Sequence, residues 1–324
     1  MSKITEFFGI DISKDVFDVV DSSENHHHFK NDPSGFKEFG ELLNENSHCV
    51  MEATGSYYQA LATWLYARSI NVSVVNPLSV KRFIQMRLKT SKTDKLDAQM
   101  IRLYGESEQP KLWNPPSHLI IEATELHKLI EMLVKQRAAL KNRLHALSAK
   151  GISRSPVLTS VRRQIKNLSN EIVELELKLE AVIKEYRSDL LTRLCSIPGI
   201  GKRTAIYLIV LTHGFEKFES SRQLISYFGL NPIIRESGSS FRGKSRISKT
   251  GNNQIRNLLF MCAFTACEHN KSCREIYQRI IAKGKSKKLA LIAVANKLLK
   301  QSLAIAKSDL YYDENYRSVY VNLG

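Results

Sequence analysis

The sequence contains few cysteines, which argues against a fold held together by disulfides. Five cysteines occur among 324 residues, an odd number, and most of them stand among apolar neighbours. Disulfide frameworks are denser in cysteine and use it in pairs. We therefore expect reduced thiols in a protein that works in the cytoplasm.

Long apolar runs and a secretory leader are also missing. A membrane-spanning helix needs an apolar run of about 18 residues or more, and the sequence shows no such run. The opening residues, MSKITEFFGIDIS, lack the basic-then-apolar order of a secretory signal. Hydrophobic residues make up 43% of the chain and charged residues 25%, the balance of a soluble globular protein. We expect no membrane partner.

Acidic residues are scarce relative to basic ones. The chain has 32 Asp and Glu against 48 Lys and Arg, a net charge of +16. An excess of this size attracts polyanions, of which nucleic acid is the commonest in a cytoplasm. Charge alone separates neither DNA from RNA nor an enzyme from a coating protein.

The first region, residues 1–112, mixes strand and helix patterns and indicates an α/β domain. Strand patterns cover residues 7–12, 16–21, 48–51 and 71–75, and the first two form a hairpin. Helix patterns cover 57–69 and 77–104, with a possible break near 89–93. We interpret His26, His27 and His28 as an exposed turn, and Asp15, Asp18 and Asp21 as a solvated hairpin face.

The remainder of the chain reads as helical. Residues 117–188 carry two apolar ladders with 4-3 spacing, typical of a coiled-coil seam, broken between Gly151 and Pro156. They predict a long helical hairpin, which either packs only on itself or serves as a dimerisation arm. Residues 189–324 form a third region that is helical, basic and punctuated by glycine, and we predict a mainly α domain.

Four carboxylates in the first region are candidates for a metal site. Asp11 lies inside an apolar strand, where a charge is costly unless it is paired or binds a metal, and Glu52 ends another strand. Asp94 and Asp97 share one face of a helix through their i, i+3 spacing. Each alone could be a cap or a surface charge, but together they could hold two Mg²⁺ ions for phosphodiester chemistry.

The third region contains two candidate DNA-binding segments. IPGIGKRTA has the form of a helix-hairpin-helix turn, in which Gly199 and Gly201 permit a tight turn and Lys202 and Arg203 can contact a phosphate. RESGSSFRGKSRISKTGN is rich in serine, glycine and basic residues, which suits a phosphate ligand. Its basic candidates are Arg242, Lys244, Arg246 and Lys249. A serine here can bond its own turn or, when activated, act as a nucleophile.

These motifs resemble a known family along nearly the whole chain, from Asp11 to about Leu303. GIDISKDVFDVV, MEATGSYY and KTSKTDKLDAQMI look like the DEDD motif of a bacterial insertion-sequence transposase family that includes relatives of the Piv DNA invertase. The resemblance implies an N-terminal domain like the RuvC resolvase, with an RNase H-like fold. It also implies that Asp11, Glu52, Asp94 and Asp97 bind Mg²⁺ or Mn²⁺.

The later motifs look like the C-terminal domain of the same family. IPGIGKRTA, YFGLNP, RESGSSFRGKSRISKTGN and QIRNLL carry this likeness, which implies a serine nucleophile in the third of them. The serine followed by glycine maps best onto Ser237, with Ser239, Ser240 and Ser248 as alternatives. The resemblance further implies donor and target DNA, a structured guide RNA encoded by the element, and a homo-oligomer.

Three functions are compatible with these observations. The first is a transposase or site-specific recombinase that cuts and rejoins DNA through a transient phosphoserine. The second is a metal-dependent junction endonuclease without a covalent intermediate, and the third is an architectural protein without catalysis. We expect the first.

Overall fold

The chain forms two compact units, Met1–Pro115 and Pro116–Gly324. The computed structural model describes residues 5–53, 55–87, 93–152, 154–233, 236–237, 241–242, 246–248 and 251–315, with no account of the side chains at 236–237 and 241–242.

The unit Met1–Pro115 is built on a mixed five-stranded sheet. Its strands are β1 (Glu6–Ile12), β2 (Val16–Val20), β3 (His26–Lys30), β4 (Ser47–Glu52) and β5 (Asn71–Val75). Its helices are α1 (Pro33–Gly40), α2 (Tyr58–Tyr66), α3 (Pro77–Met86) and α4 (Asp94–Glu108). The order across the sheet is β3-β2-β1-β4-β5. β1, β2 and β3 are antiparallel neighbours, whereas β4 runs parallel to β1 and to β5. This mixed sheet is compatible with an RNase H-like fold.

The main core of this unit lies on one face of the sheet. Ile10, Phe17 and Met51 point to that face and are fully buried, together with Phe39 and Leu61 from the covering helices. Because side chains alternate along a strand, residues 9 and 11 of β1 point to the opposite face, against which α4 packs.

The predicted elements of this unit are largely confirmed, with two errors. The hairpin, both further strands and the helix patterns are present, and the break between α3 and α4 includes residues 88–92, which lie outside the described residues. The exposed turn at His26–His28 was wrong, because these residues begin β3 and pair with β2. Asp18 was wrongly placed on a solvated face, since it is 8% exposed.

The unit Pro116–Gly324 is mainly helical. Its helices are α5 (His118–Ala149), α6 (Pro156–Cys195), α7 (Lys202–Thr212), α8 (Ser221–Tyr227), α9 (Asn253–His269), α10 (Lys271–Ala282) and α11 (Lys287–Ser308). α6 is kinked at Arg187, whose φ of −154° and ψ of 67° are not helical.

The predicted hairpin helices, α5 and α6, are present and pack against each other. Arg137 donates a hydrogen bond to Ser169 across them at 3.4 Å. Ile130 of α5 and Ile172 of α6 belong to the same hydrophobic core as Leu208 of α7 and Leu298 of α11. The coiled-coil geometry and the division into 1–112, 117–188 and 189–324 stay predictions.

Two short β-ladders interrupt the helices between α8 and α9. β6 (Pro232–Ile233) pairs with β9 (Arg246–Ile247), and β7 (Glu236–Ser237) pairs with β8 (Phe241–Arg242), both antiparallel. The sequence analysis did not anticipate these ladders, because two-residue strands carry no periodic signal.

Among the described residues, one helix is long and apolar enough, by length and composition, to cross a membrane, where the sequence predicted none. This helix is α11, and half of its apolar window is buried inside the protein. Ala290, Val294 and Leu298 lie in the core of the unit Pro116–Gly324, so packing accounts for the apolar character of α11.

Candidate active site

Helix α4 is seated directly on β1, and glycine makes this possible. A Cβ atom at Gly9 would overlap the carbonyl oxygen of Ala98 and the amide nitrogen of Arg102. Near the start of β1, a Cβ atom at Gly105 of α4 would lie 2.7 Å from a methyl group of Val50 and 3.0 Å from the ring of Phe7. Helix α4 therefore runs along β1 in the opposite direction, and its N-terminal turn lies near Asp11.

That N-terminal turn carries the second pair of predicted carboxylates. Thr93 caps the helix, its hydroxyl accepting a hydrogen bond from the Leu96 amide at 3.2 Å. Asp94 and Asp97 follow in the first turn, where acidic side chains interact favourably with the helix dipole. The i, i+3 spacing predicted from the sequence is thus realised on a helix that faces Asp11.

Glu52 reaches the same region from the neighbouring strand. Ile10 of β1 is the register partner of Met51 of β4, so the next residue of each strand, Asp11 and Glu52, stand side by side. Both side chains are half-buried. The four carboxylates named from the sequence therefore come from β1, β4 and α4 to one edge of the unit.

The electrostatics of Asp11 report this convergence. Burial, followed by repulsion from Asp97, Asp94, Glu52 and Asp18, raises the pKa of the Asp11 carboxyl to about 6. The described residues nevertheless include no three His, Cys, Asp or Glu side chains close enough to hold a metal ion as they stand. The carboxylates are thus near enough to raise the pKa of Asp11 but stand farther apart than the ligands of a single ion.

The donor set fits a hard divalent cation. Mg²⁺ and Mn²⁺ prefer carboxylate oxygens, and Asp11, Glu52, Asp94 and Asp97 supply only these. A cation between them would offset the repulsion that acts on Asp11.

The predicted helix-hairpin-helix turn links α6 to α7. Gly199 has a φ of +103°, and a Cβ atom there would lie 2.6 Å from that of Ala266, so glycine is required. Gly201 precedes α7 without a side-chain cap, which leaves amide donors at that helix start. Lys202 pairs with Glu180 and Arg203 with Glu176, each at 2.9 Å.

The predicted serine segment is only partly described. Ser237 lies in β7 and Arg242 in β8, and the register pairs Ser237 with Phe241. Arg246 is exposed in β9. Ser239, Ser240, Lys244 and Lys249 lie outside the described residues. The Ser248 hydroxyl bonds the side-chain oxygen of Asn231 at 2.7 Å, which gives this serine a structural partner.

Three polar residues near Asp11, namely Asp18 on the adjacent strand and His26 and His28 on the next, were not predicted as part of a site. Asp18 is the register partner of Asp11, and its carboxylate bonds His26 at 2.8 Å and His28 at 3.1 Å. The segment HHHFK gives only a weak strand signal. Alternate residues of a strand point to opposite faces, but Phe29 is the only apolar residue among the five.

Comparison with known proteins identifies the family of the chain. Residues 8–148 match a family described as a transposase with the DEDD motif, and residues 191–278 match the family described as "Transposase IS116/IS110/IS902 family". The pilin gene-inverting proteins of Moraxella lacunata and Moraxella bovis are each 32% identical over 95% of this chain and 98% of their own length. A transposase for insertion sequence element IS1111A from Coxiella burnetii is 25% identical over 91% of this chain and 88% of its own.

The two family matches fall on the carboxylate region and on the hairpin-turn region respectively, and the similarity to the pilin gene-inverting proteins runs through both. The chain therefore belongs to the IS116/IS110/IS902 transposase family and is a DNA transposase or recombinase.

Proposed function

We propose that this transposase cuts and rejoins DNA at a metal site held by Asp11, Glu52, Asp94 and Asp97, with Ser237 as the nucleophile. The observation that carries the proposal is geometric: the β1–β4 register sets Asp11 beside Glu52, and α4, packed on β1 at Gly9, brings the turn with Asp94 and Asp97 to the same strand. The raised pKa of the Asp11 carboxyl agrees with this placement, because the other three carboxylates contribute to it after burial. The four residues come from three separate segments of the sequence, so their approach to one another results from folding and not from a local run of acidic residues.

A DEDD-type transposase domain implies a divalent metal ion, and we propose Mg²⁺ or Mn²⁺. Bound there, the metal would supply charge stabilisation for the phosphate oxygens and for the leaving oxygen. The chain itself contributes by holding the four carboxylates in position around the metal. β1 and β4 hold Asp11 and Glu52 on a rigid sheet, while Gly9 lets α4 bring Asp94 and Asp97 within their reach.

Ser237 is the proposed nucleophile because its position matches the serine of the family motif. Ser248 is the less suitable alternative, since its hydroxyl already bonds Asn231. The basic residues of the segment, among them Arg242 and Arg246, would neutralise DNA phosphates. Attack by the serine oxygen on the scissile phosphorus would form a phosphoserine as the bond to the bridging sugar oxygen breaks. In rejoining, a free DNA hydroxyl would attack the same phosphorus and release the serine.

The partners follow from the family and the charge. The relatives are named for inverting a pilin gene and for transposing an insertion element, so we propose donor and target DNA as substrates in the cytoplasm. We also propose an element-encoded guide RNA, and a homo-oligomer, either a dimer or a tetramer. Lys202 and Arg203 would contact DNA at the α6–α7 turn, where phosphates would compete with Glu180 and Glu176.

Trapping a covalent protein–DNA adduct tests the serine. The wild-type chain with Mg²⁺, DNA bearing the element's ends and the RNA transcribed from its flank should yield an adduct that survives denaturation. Ser237→Ala should abolish it, and Ser248→Ala should retain it. Strand cleavage without any adduct in the wild type, retained in Ser237→Ala, would instead identify a metal-dependent endonuclease. Asp11→Asn should abolish cleavage in either case.

A further inference from the structure

A row of polar side chains crosses the sheet beyond the carboxylates of the DEDD motif. Asp11 is the register partner of Asp18, and Asp18 is the register partner of His28. Directly opposite residues of antiparallel strands point to the same face. With strands ~4.8 Å apart, the row extends the Asp11 site by two strands, to the edge of the sheet.

Asp18 holds two imidazole rings through a single carboxylate oxygen. His26 Nε2 lies 2.8 Å and His28 Nδ1 lies 3.1 Å from Asp18 Oδ1. A carboxylate oxygen only accepts, so both ring nitrogens facing it are donors. The Asp18 side chain is 11% exposed whereas the His28 side chain is 58% exposed. The carboxylate is therefore a fixed anchor, and the ring of His28 extends from it into solvent.

The tautomer of His28 follows from this contact. With the proton on Nδ1 directed at Asp18, the neutral ring leaves Nε2 as an acceptor, and the protonated ring has a donor there. Within the described part of the chain, no residue forms a hydrogen bond with that nitrogen. Enzymes orient a histidine for proton transfer by bonding one ring nitrogen to a carboxylate, which leaves the other ring nitrogen facing the substrate.

We propose that His28, oriented by Asp18, is the proton-transfer residue of strand cleavage and rejoining. This inference rests on the proposed carboxylate site, because it places the reacting phosphate at Asp11. As the nucleophile bonds to phosphorus and the bond to the bridging sugar oxygen breaks, that oxygen takes the proton from His28 Nε2, while the nucleophile's proton passes to solvent. In rejoining, His28 Nε2 takes the proton of the attacking hydroxyl as the bond between phosphorus and the nucleophile's oxygen breaks, and that oxygen regains a proton from solvent.

His27 provides a matched control within the same strand. Its register partner is Val19, so it points to the face opposite His28, where its Nε2 bonds Asp21 at 3.0 Å. His27→Ala and His28→Ala remove the same ring from adjacent positions of β3. Only the second removes a ring from the row that contains Asp11.

The test compares two leaving groups. One DNA substrate has the natural bridging oxygen at the scissile phosphate, and the other has sulfur in its place. A thiolate leaves without a proton because thiols are far more acidic than sugar hydroxyls. Single-turnover cleavage with Mn²⁺ should fall about 10²-fold or more for His28→Ala on the oxygen substrate and stay near the wild-type rate on the sulfur substrate. Asp18→Asn should show the same selectivity to a smaller extent, and His27→Ala should cleave both substrates normally.

Other outcomes would overturn the proposal. Equal losses on both substrates in His28→Ala, or weaker DNA binding with a normal cleavage step at saturating DNA, would give His28 a structural or binding role. His28→Gln, whose side chain keeps a polar group, guards against a folding defect, and it should show the same selective loss. Asp11→Asn should cleave neither substrate. If it cleaves both, the proposed carboxylate site fails, whatever the result for His28.

Discussion

At the scale of single residues, Asp11 shows how function opposes stability. Its neighbours Ile10 and Ile12 are buried on one face of β1, and Asp11 alternates to the other. There burial and four acidic side chains disfavour its ionised form. A protein selected for stability alone would place a neutral side chain here, so the carboxylate indicates a task that needs its charge.

Replacing Asp11 with Asn should stabilise the metal-free protein. The folded pKa of about 6 exceeds the ordinary value of 3.8. The unfavourable contribution is therefore absent below pH ~3.8, develops as pH rises, and is complete above about 6. After solvent screening we expect a gain of about 1 kcal/mol at pH 7.5, or ~4 °C in Tm, and none at pH 3.5. Both tryptophans, Trp64 and Trp113, lie in Met1–Pro115, so their fluorescence reports the melting of this unit.

The same variant should lose its response to metal. Mg²⁺ or Mn²⁺ should raise the Tm of the wild type, since a ligand that binds only the folded state stabilises it, and should raise that of Asp11→Asn far less. Asp15→Asn removes an exposed carboxylate from the neighbouring hairpin turn and serves as the control, with the wild-type response. An unchanged metal response in Asp11→Asn would remove Asp11 from the proposed ligand set.

At the scale of secondary-structure elements, the contact between α4 and β1 determines the site. Asp94 and Asp97 are adjacent to Asp11 only because α4 lies against the backbone of β1 at Gly9. This contact joins two elements that are far apart in the sequence. The spacing of Asp94 and Asp97 predicts that they share a helix face, but not which strand that face meets.

Gly9→Ala should therefore separate the carboxylates. The added methyl group would overlap the backbone of α4, which cannot rotate away as a side chain can. We expect a loss of roughly 3 kcal/mol in unfolding free energy and a loss of the metal-induced rise in Tm, both followed by tryptophan fluorescence. Wild-type melting and metal response in Gly9→Ala would show that α4 is not positioned by this contact.

Gly201→Ala is the matched control for adding a methyl group. Nothing lies within 4 Å of a Cβ atom there, and φ is −80°, which any residue adopts. Melting followed by circular dichroism should change by less than about 1 kcal/mol. Because Gly201 begins α7 at the predicted DNA-binding turn, this variant also tests whether the DNA backbone approaches closely. Weaker DNA binding at unchanged stability is the expected result.

Strand β3 shows why element prediction failed where it did. It lies at the edge of the sheet, and three of its five residues are histidines. Edge strands need not be apolar on both faces, so the pattern of HHHFK was too polar to predict a strand. HHHFK becomes a strand because it pairs with β2. That pairing also brings His26 and His28 onto the carboxylate of Asp18.

At the scale of the whole molecule, the proposed reaction requires groups from two compact units. Asp11 belongs to Met1–Pro115 and Ser237 to Pro116–Gly324. If an oligomer assembles each site from two protomers, mixing the Asp11→Asn and Ser237→Ala proteins should restore partial adduct formation. Some sites would then combine the intact Asp11 of one protomer with the intact Ser237 of another. Each variant alone should stay inactive. No recovery in mixed oligomers, confirmed by co-purification with two affinity tags, would indicate that each chain completes its own site.

The sequence by itself determined the family and most of the helices and strands, and it named the four candidate carboxylates. Those features are local: strand alternation, helix periodicity, and motifs in which a few residue types recur at set spacings. Tertiary structure alone decided that Asp11, Glu52, Asp94 and Asp97 converge, that Asp18 is buried, and that His28 shares its row. Such contacts depend on strand register and on the close approach of a helix to a glycine, and both arise only when distant segments pack.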